Sequence, residues 1–309
     1  MSAVPPWALV VTGIVSVQVG SGLAGRMFGE VSPATLTGLR LWTAAAAMAA
    51  FGGRGLARSV RGLIRERAWR DAAVVVAFGV TLAIMNFSFY QAIARIPLGI
   101  AVTIEFLGPL AVAVASSRRL VDLIWVALAG TGVALLSDGW SSLSLRGGQG
   151  GRAGTVLAGV ALALVAAAGW AAYILLSAST GRRFPGSSGL TIAIVVAAVL
   201  VTPAAAAGSA GRGDPLGLAV IGTGIAAGLL SSVVPYRLEM ETLRRIPARV
   251  FGIWMSLEPA VAALVGLVLL GEALAPREWA AIGCVIVASA GAARANGPAP
   301  GDPVPPNPG

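Results

Sequence analysis

Two carboxylates stand where carboxylates are rare. Glu105 lies in Ile104-Glu105-Phe106-Leu107-Gly108-Pro109 and Glu258 in Ser256-Leu257-Glu258-Pro259, each inside a long apolar run. A charged side chain at bilayer depth costs roughly 2.5–3.5 kcal/mol on insertion scales, so it normally faces a bundle interior or a water path. A carboxylate there can exchange its proton for a substrate amine, or it can fix helix packing through a partner. Residue type and position allow both readings.

Arg40, in Leu36-Thr37-Gly38-Leu39-Arg40-Leu41, is permanently charged. Its planar fork could clamp a substrate carboxylate with two hydrogen bonds. It could equally snorkel to the interface or pair with one of the glutamates. Pro109 cannot donate to the carbonyl of Glu105, nor Pro259 to that of Met255. Carbonyls freed in this way coordinate ions or hydroxyls where they line a cavity; elsewhere the proline only bends the helix. Pro97 and Pro247 open the same two segments.

Polar and aromatic residues recur at helical spacing. Asn86 and Tyr90 are four apart, and Trp170, Tyr173 and Ser177 share a face. Such stripes line pockets, or else supply hydrogen bonds between helices and anchors at the interface. Tyr236, Arg237, Glu239 and Glu241 read as an inner gate or a solvated helix end.

Much other chemistry is excluded. The chain has no His and one cysteine, Cys284, which removes His-based nucleophile pairs, His-ligated zinc and any disulfide framework. No metal and no cofactor is expected. Gly20-Ser21-Gly22-Leu23-Ala24-Gly25 fits a dinucleotide-binding pattern, but it ends an apolar run and follows no strand. Small residues for close helix packing are the better account. Gly147–Gly154 lacks the Lys of a phosphate loop and reads as a connection.

The elements that must position these residues follow from composition. Hydrophobic residues make up 57% of the 309 and charged residues only 11%, with a mean hydropathy of +0.84. Soluble domains carry about 25% charged residues, so this chain cannot wet a large globular surface. The net charge of +9 comes entirely from arginines at the ends of apolar runs, which argues for membrane orientation and against nucleic-acid binding. No basic residue precedes the first apolar run, so that run is a span and not a cleaved signal.

A crossing helix needs about 20 apolar residues. That ruler gives ten spans, at 7–25, 35–53, 71–93, 98–116, 121–138, 154–177, 189–207, 217–241, 248–270 and 277–294. The longest connections are Arg54–Arg70, rich in Arg, and Gly139–Ala153, rich in Gly and Ser. The Pro/Gly-rich stretch 297–309 reads as a disordered tail. Arginine crowds one side, at Arg54 to Arg70, Arg118, Arg119, Arg182, Arg183, Arg244, Arg245 and Arg249. The positive-inside rule therefore puts both termini in the cytoplasm of a multi-pass protein of the bacterial inner membrane.

An internal repeat organises the whole. Ala94-Arg95-Ile96-Pro97 is echoed at Arg244-Arg245-Ile246-Pro247, and the same offset matches Pro109 with Pro259. The halves are 1–145 and 153–296. Five spans per half is an odd number, so the halves insert upside down relative to each other. The fold class expected is all-α, ten transmembrane helices in two inverted five-helix repeats, with binding at their interface.

The stretch Phe89-Tyr90-Gln91-Ala92-Ile93-Ala94-Arg95-Ile96-Pro97 through Glu105 to Pro109 resembles the EamA-type family of the drug/metabolite transporter superfamily. So does Arg245-Ile246-Pro247-Ala248-Arg249 through Leu257-Glu258-Pro259-Ala260-Val261 to Leu270-Gly271-Glu272. Within that family the likeness runs to the threonine/homoserine exporters and covers about 7–294. It implies ten spans, cytoplasmic termini and proton-driven export of amino acids or similar metabolites. Glu105 and Glu258 match motif positions; the aromatic stripe matches none.

The expected partners are thus a small-molecule substrate, protons and the lipid bilayer. The expected mechanism is alternating access around a midplane cavity lined by spans three, four, eight and nine. The rival readings are a same-fold exporter of drugs or other metabolites, and a membrane enzyme or assembly protein that transports nothing.

Overall fold

The computed structural model describes residues 4–65, 68–115, 123–137, 153–212 and 217–295. The junction between the two halves and the tail 297–309 lie outside the described residues. Thirteen α-helices follow one another, with no strand among the described residues. They are α1 (Pro6–Arg26), α2 (Pro33–Arg65), α3 (Trp69–Ile93), α4 (Leu98–Glu105), α5 (Leu107–Ala115), α6 (Leu123–Ser137) and α7 (Ala153–Gly181). After them come α8 (Ser188–Arg212), α9 (Leu218–Gly228), α10 (Val234–Leu243), α11 (Ala248–Met255), α12 (Glu258–Val265) and α13 (Pro276–Ala295).

Seven helical runs among the described residues are long and apolar enough to cross a membrane: Pro6–Arg26, Trp69–Ile93, Leu98–Ala115, Gly154–Gly181, Ser188–Ala210, Leu218–Glu239 and Val250–Leu270. The other three positions expected from the sequence hold α2, α13 and the shorter apolar Leu123–Leu135. The clear spans therefore number seven where ten were expected.

The Arg54–Arg70 connection is mostly not a loop. α2 runs unbroken for 33 residues to Arg65. At 1.5 Å per residue it reaches about 50 Å, well past the roughly 30 Å hydrocarbon core. Arg, Ala and Leu are good helix formers and no proline intervenes, so the helix simply continues beyond the apolar part. Ser59 Oγ donates to Ser188 Oγ at 2.9 Å and ties this extension to the start of α8.

Two short segments have matching backbone. α4 and α11 are each eight residues long and start just after a proline in extended conformation, Pro97 (φ −53°, ψ 143°) and Pro247 (φ −59°, ψ 144°). They end at Phe106 (φ −64°, ψ −14°) and Ser256 (φ −62°, ψ −11°), after which a new helix carries Pro109 or Pro259 in its first turn. Helices early in the chain pack against helices late in it. α3 packs along α7 and α8, α2 along α8 and α9, α6 along α13, and α4 against α12 and α7.

Small residues make the close crossings. A Cβ on Gly22 would stand 2.9 Å from Val265 Cγ1, and one on Gly99 would stand 2.7 Å from Ala263 Cα. The glycine-rich end of α1 is therefore a packing face against the second half, as its position in an apolar run required.

Candidate functional site

A cavity of about 510 Å³ is lined by helices from residues 6–115 and from residues 153–295. That is within the range of roughly 300–1,000 Å³ found for small-molecule sites. Its polar wall holds Gln18, Arg40, Asn86, Glu105, Glu239 and Glu258, and Trp170 and Tyr173 add aromatic surface.

Each group is placed by a local feature. Glu105 is the last residue of α4, at the break before Pro109, and is 9% exposed. Glu258 opens α12 at the equivalent break and is 6% exposed. Gln18 on α1 is 1% exposed, and its Nε2 donates to Glu258 Oε1 at 2.9 Å. Glu105 and Glu239 are near enough to act on Glu258 through space, and Arg40 to act on Glu105. Arg40 forms no salt bridge among the described residues, so the glutamate pairing allowed by the sequence is not made. Instead its guanidinium carbon lies 5.2 Å from the centre of the Tyr90 ring, and its Nε has no hydrogen-bond partner.

Asn86 Nδ2 donates to Leu82 O at 2.8 Å, which leaves the amide oxygen for the cavity. Trp170 meets Phe106 edge to face at 5.1 Å, and Tyr173 leans on Phe78 at 5.4 Å. Of the expected residues, Glu105, Glu258, Arg40, Asn86, Trp170, Tyr173 and Pro109 come together on this wall. Tyr90 sits behind it, fully buried beneath Arg40. Pro97, Pro247 and Pro259 mark helix starts without lining the cavity, and the Tyr236 side chain lies outside the described residues.

Three further wall residues were not among the expected site residues. Glu239, expected at an inner gate or a solvated end, lines the cavity on α10, which follows a π-helical turn, Leu229–Val233. Ser231 on that turn was not anticipated. Pro235 follows it and cannot donate to Ser231 O, and Arg40 Nη2 reaches that carbonyl at 3.5 Å. Gln18 also went unnoticed, since a lone amide in a span carries little signal. The lining extends beyond spans three, four, eight and nine to α1, α2, α7, α8 and α13.

Known proteins agree with this architecture. The chain is 38% identical over 293 residues to the threonine/homoserine exporter RhtA of Escherichia coli (strain K12), covering 93% of this chain and 90% of the relative. The RhtA of Salmonella typhimurium (strain LT2) is 37% identical over the same length. Residues 157–294 match the model of the EamA-like transporter family. This chain belongs to that family. It is a multi-pass membrane transporter and not an enzyme, which removes the enzyme rival. A crystal structure of a protein 20% identical in sequence superposes with a TM-score of 0.57 over 93% of this chain and 96% of that one. At that identity it speaks for the fold alone.

Proposed function

We propose that this transporter exports a small amino acid of the threonine or homoserine kind from the cytoplasm in exchange for protons. The observation that carries the reading is the cavity itself, where the Arg40 guanidinium, in no salt bridge among the described residues and with an unpartnered Nε, shares the wall with the buried carboxylates of Glu105, Glu239 and Glu258. An amino acid is complementary to that arrangement. Its carboxylate suits the fork of Arg40 and its ammonium suits a glutamate. The relatives named for threonine and homoserine export support the substrate class.

Exchange follows from burial. A glutamate in a span is costly when charged and alone, so it holds either a proton or a cationic group. Alternating access would come from two inverted five-helix halves rocking about the cavity. The matching broken helices α4 and α11 and the interleaved packing support that symmetry. Both termini would be cytoplasmic in the inner membrane, as arginine placement indicates.

The test is flux in proteoliposomes. Labelled threonine inside vesicles should exit faster when the external pH is lowered, and an imposed proton gradient should drive threonine against its own gradient. Transport of threonine that ignores the proton gradient would remove coupling. Failure to move threonine or homoserine, with movement of another metabolite, would replace the cargo.

A further inference from the structure

We propose that Gln18 Oε1 and Glu258 Oε2 form one acceptor site, filled in alternation by Glu258's own proton and by a primary ammonium group of the substrate. The proposal rests on the amine-for-proton reading above and adds Gln18 as the residue that makes the two occupants exclude each other.

The two side chains are joined by a single bond, Gln18 Nε2 to Glu258 Oε1, at 2.9 Å. The other oxygen of each, Gln18 Oε1 and Glu258 Oε2, is buried and has no hydrogen-bond partner. Buried acceptors are nearly always satisfied, so two orphans flanking one bond point to something they accept from. Both residues are on the cavity wall, which gives a ligand access to the pair.

Amide and carboxyl chemistry allows two ways to satisfy them. In the protonated state, Glu258 Oε2–H can donate to Gln18 Oε1, closing a cyclic acid–amide pair with both groups neutral. In the deprotonated state, both oxygens are acceptors, and a group with at least two N–H donors bridges them. A primary ammonium has three such donors and a quaternary ammonium has none. The step balances: the Oε2–H bond breaks, the proton leaves to water, and the substrate ammonium enters with its own charge. The pair together with its occupant carries no net charge in either state: a neutral acid and amide in one, a carboxylate and an ammonium in the other. Proton and substrate therefore compete for the same two oxygens, which is the condition for exchange instead of co-transport.

The neighbouring groups fit this assignment. Glu105 faces the pair from α4 and Glu239 from α10, and both favour a cation there; Arg40 stands on α2 for the carboxylate end. Asn86, Tyr173, Ser21, Ser231, Ser232 and Ser289 add uncharged polar groups to the wall, and α9, α11 and α13 add no titratable side chain to it among the described residues.

The experiment uses the full-length protein in detergent, with threonine and 3-hydroxybutanoate, which is threonine without its amine. Calorimetry in two buffers of different ionisation heat reads both affinity and proton release. Wild type should prefer threonine and release a proton on binding it. Gln18→Met should lower that preference by roughly tenfold or more, the loss of one charge-assisted hydrogen bond, with 3-hydroxybutanoate binding unchanged. Gln18→Glu keeps the acceptor oxygen, so it should retain the preference while its pH profile shifts; this variant decides if Gln18→Met does not fold. An unaltered preference in Gln18→Met, equal loss of both ligands, or an unshifted profile in Gln18→Glu would overturn the role of Gln18 and leave the amine-for-proton reading intact. Wild-type threonine binding that releases no proton would overturn that reading itself.

Discussion

The carboxylate of Glu272 accepts the backbone N–H of Leu98 at 2.8 Å, across 174 residues of sequence. Leu98 is the first residue of α4, whose first amides have no partner within the helix. Glu272 therefore caps the helix that carries Glu105 from the loop that ends the Glu258 segment. Gly271, with φ +70°, makes the left-handed turn that brings the carboxylate there, and burial pushes the Glu272 carboxyl up to about 7 against the pull of the Leu98 bond.

That shift sets a pH dependence of stability. A carboxyl raised in the folded state binds more protons there than in the unfolded chain. Its contribution is complete below about 4.5 and is lost as pH rises through about 7. Glu272→Gln keeps an oxygen for Leu98 but cannot titrate. The wild-type melting temperature should fall between pH 5 and 7.5 more steeply than that of Glu272→Gln. Parallel curves would show that Glu272 is not the source. Glu272→Ala should cost about 1–3 kcal/mol at any pH, because it leaves the amide uncapped.

The close crossings predict opposite outcomes for two glycines. Gly22→Ala presses on Val265 Cγ1 and Leu269 Cδ1, which are side-chain ends. It should lower the melting temperature, and Val265→Ala should restore it. Gly99→Ala presses on Ala263 Cα and its amide nitrogen as well as its Cβ. Overpacking against backbone typically costs about 1–3 kcal/mol, and Ala263→Gly should not relieve it. Rescue of Gly99→Ala by Ala263→Gly would mean that the crossing is looser than found here.

Seven of the ten expected spans and the broken helices were legible because a bilayer imposes a ruler of about 20 residues and a proline breaks the helical ladder wherever it falls. Glu105, Glu258 and Arg40 stood out because charge within an apolar run is rare. Gln18 and Ser231 did not, since uncharged polar residues are common in spans and their role depends on which helix lies opposite. That Glu239 lines the cavity was hard to read for a geometric reason: the π-helical turn Leu229–Val233 shifts the face presented by everything after it, and no residue pattern before Pro235 announces it. α2 was cut short because its Arg-rich end resembles a loop by composition while remaining helical by propensity.

Arginine placement predicts the orientation. Ala57→Cys on the extension of α2 and Ser142→Cys between the halves, each in a Cys284→Ser background, should respond oppositely to an impermeant thiol reagent. In intact cells the second should be labelled and the first protected, with Ala57→Cys reacting only after the cells are opened. The Asp71–Arg183 pair, 2.8 Å apart, puts the start of α3 and the end of α7 at the same face, so probes at both should behave as Ala57→Cys does. Labelling of Ala57→Cys in intact cells would reverse the topology.

Glu258→Gln separates coupling from packing. The substitution keeps the shape of the side chain and an acceptor for Gln18 Nε2 but removes the titratable charge. If Glu258 exchanges a proton for substrate, the variant should insert and melt like wild type yet lose proton-driven uptake into inverted vesicles. Counterflow of labelled against unlabelled threonine needs no net proton movement, so whatever binding remains should still support it. Glu105→Gln should be at least as mild, because its equivalent in the second half is Met255 and no symmetric carboxylate pair exists. A carboxylate that only fixed packing would give the reverse pattern: low abundance and a depressed melting temperature, with transport per molecule intact. A well-folded Glu258→Gln with wild-type activity and an unchanged pH profile would remove Glu258 from the coupling mechanism and leave Glu105 or Glu239 to carry the proton.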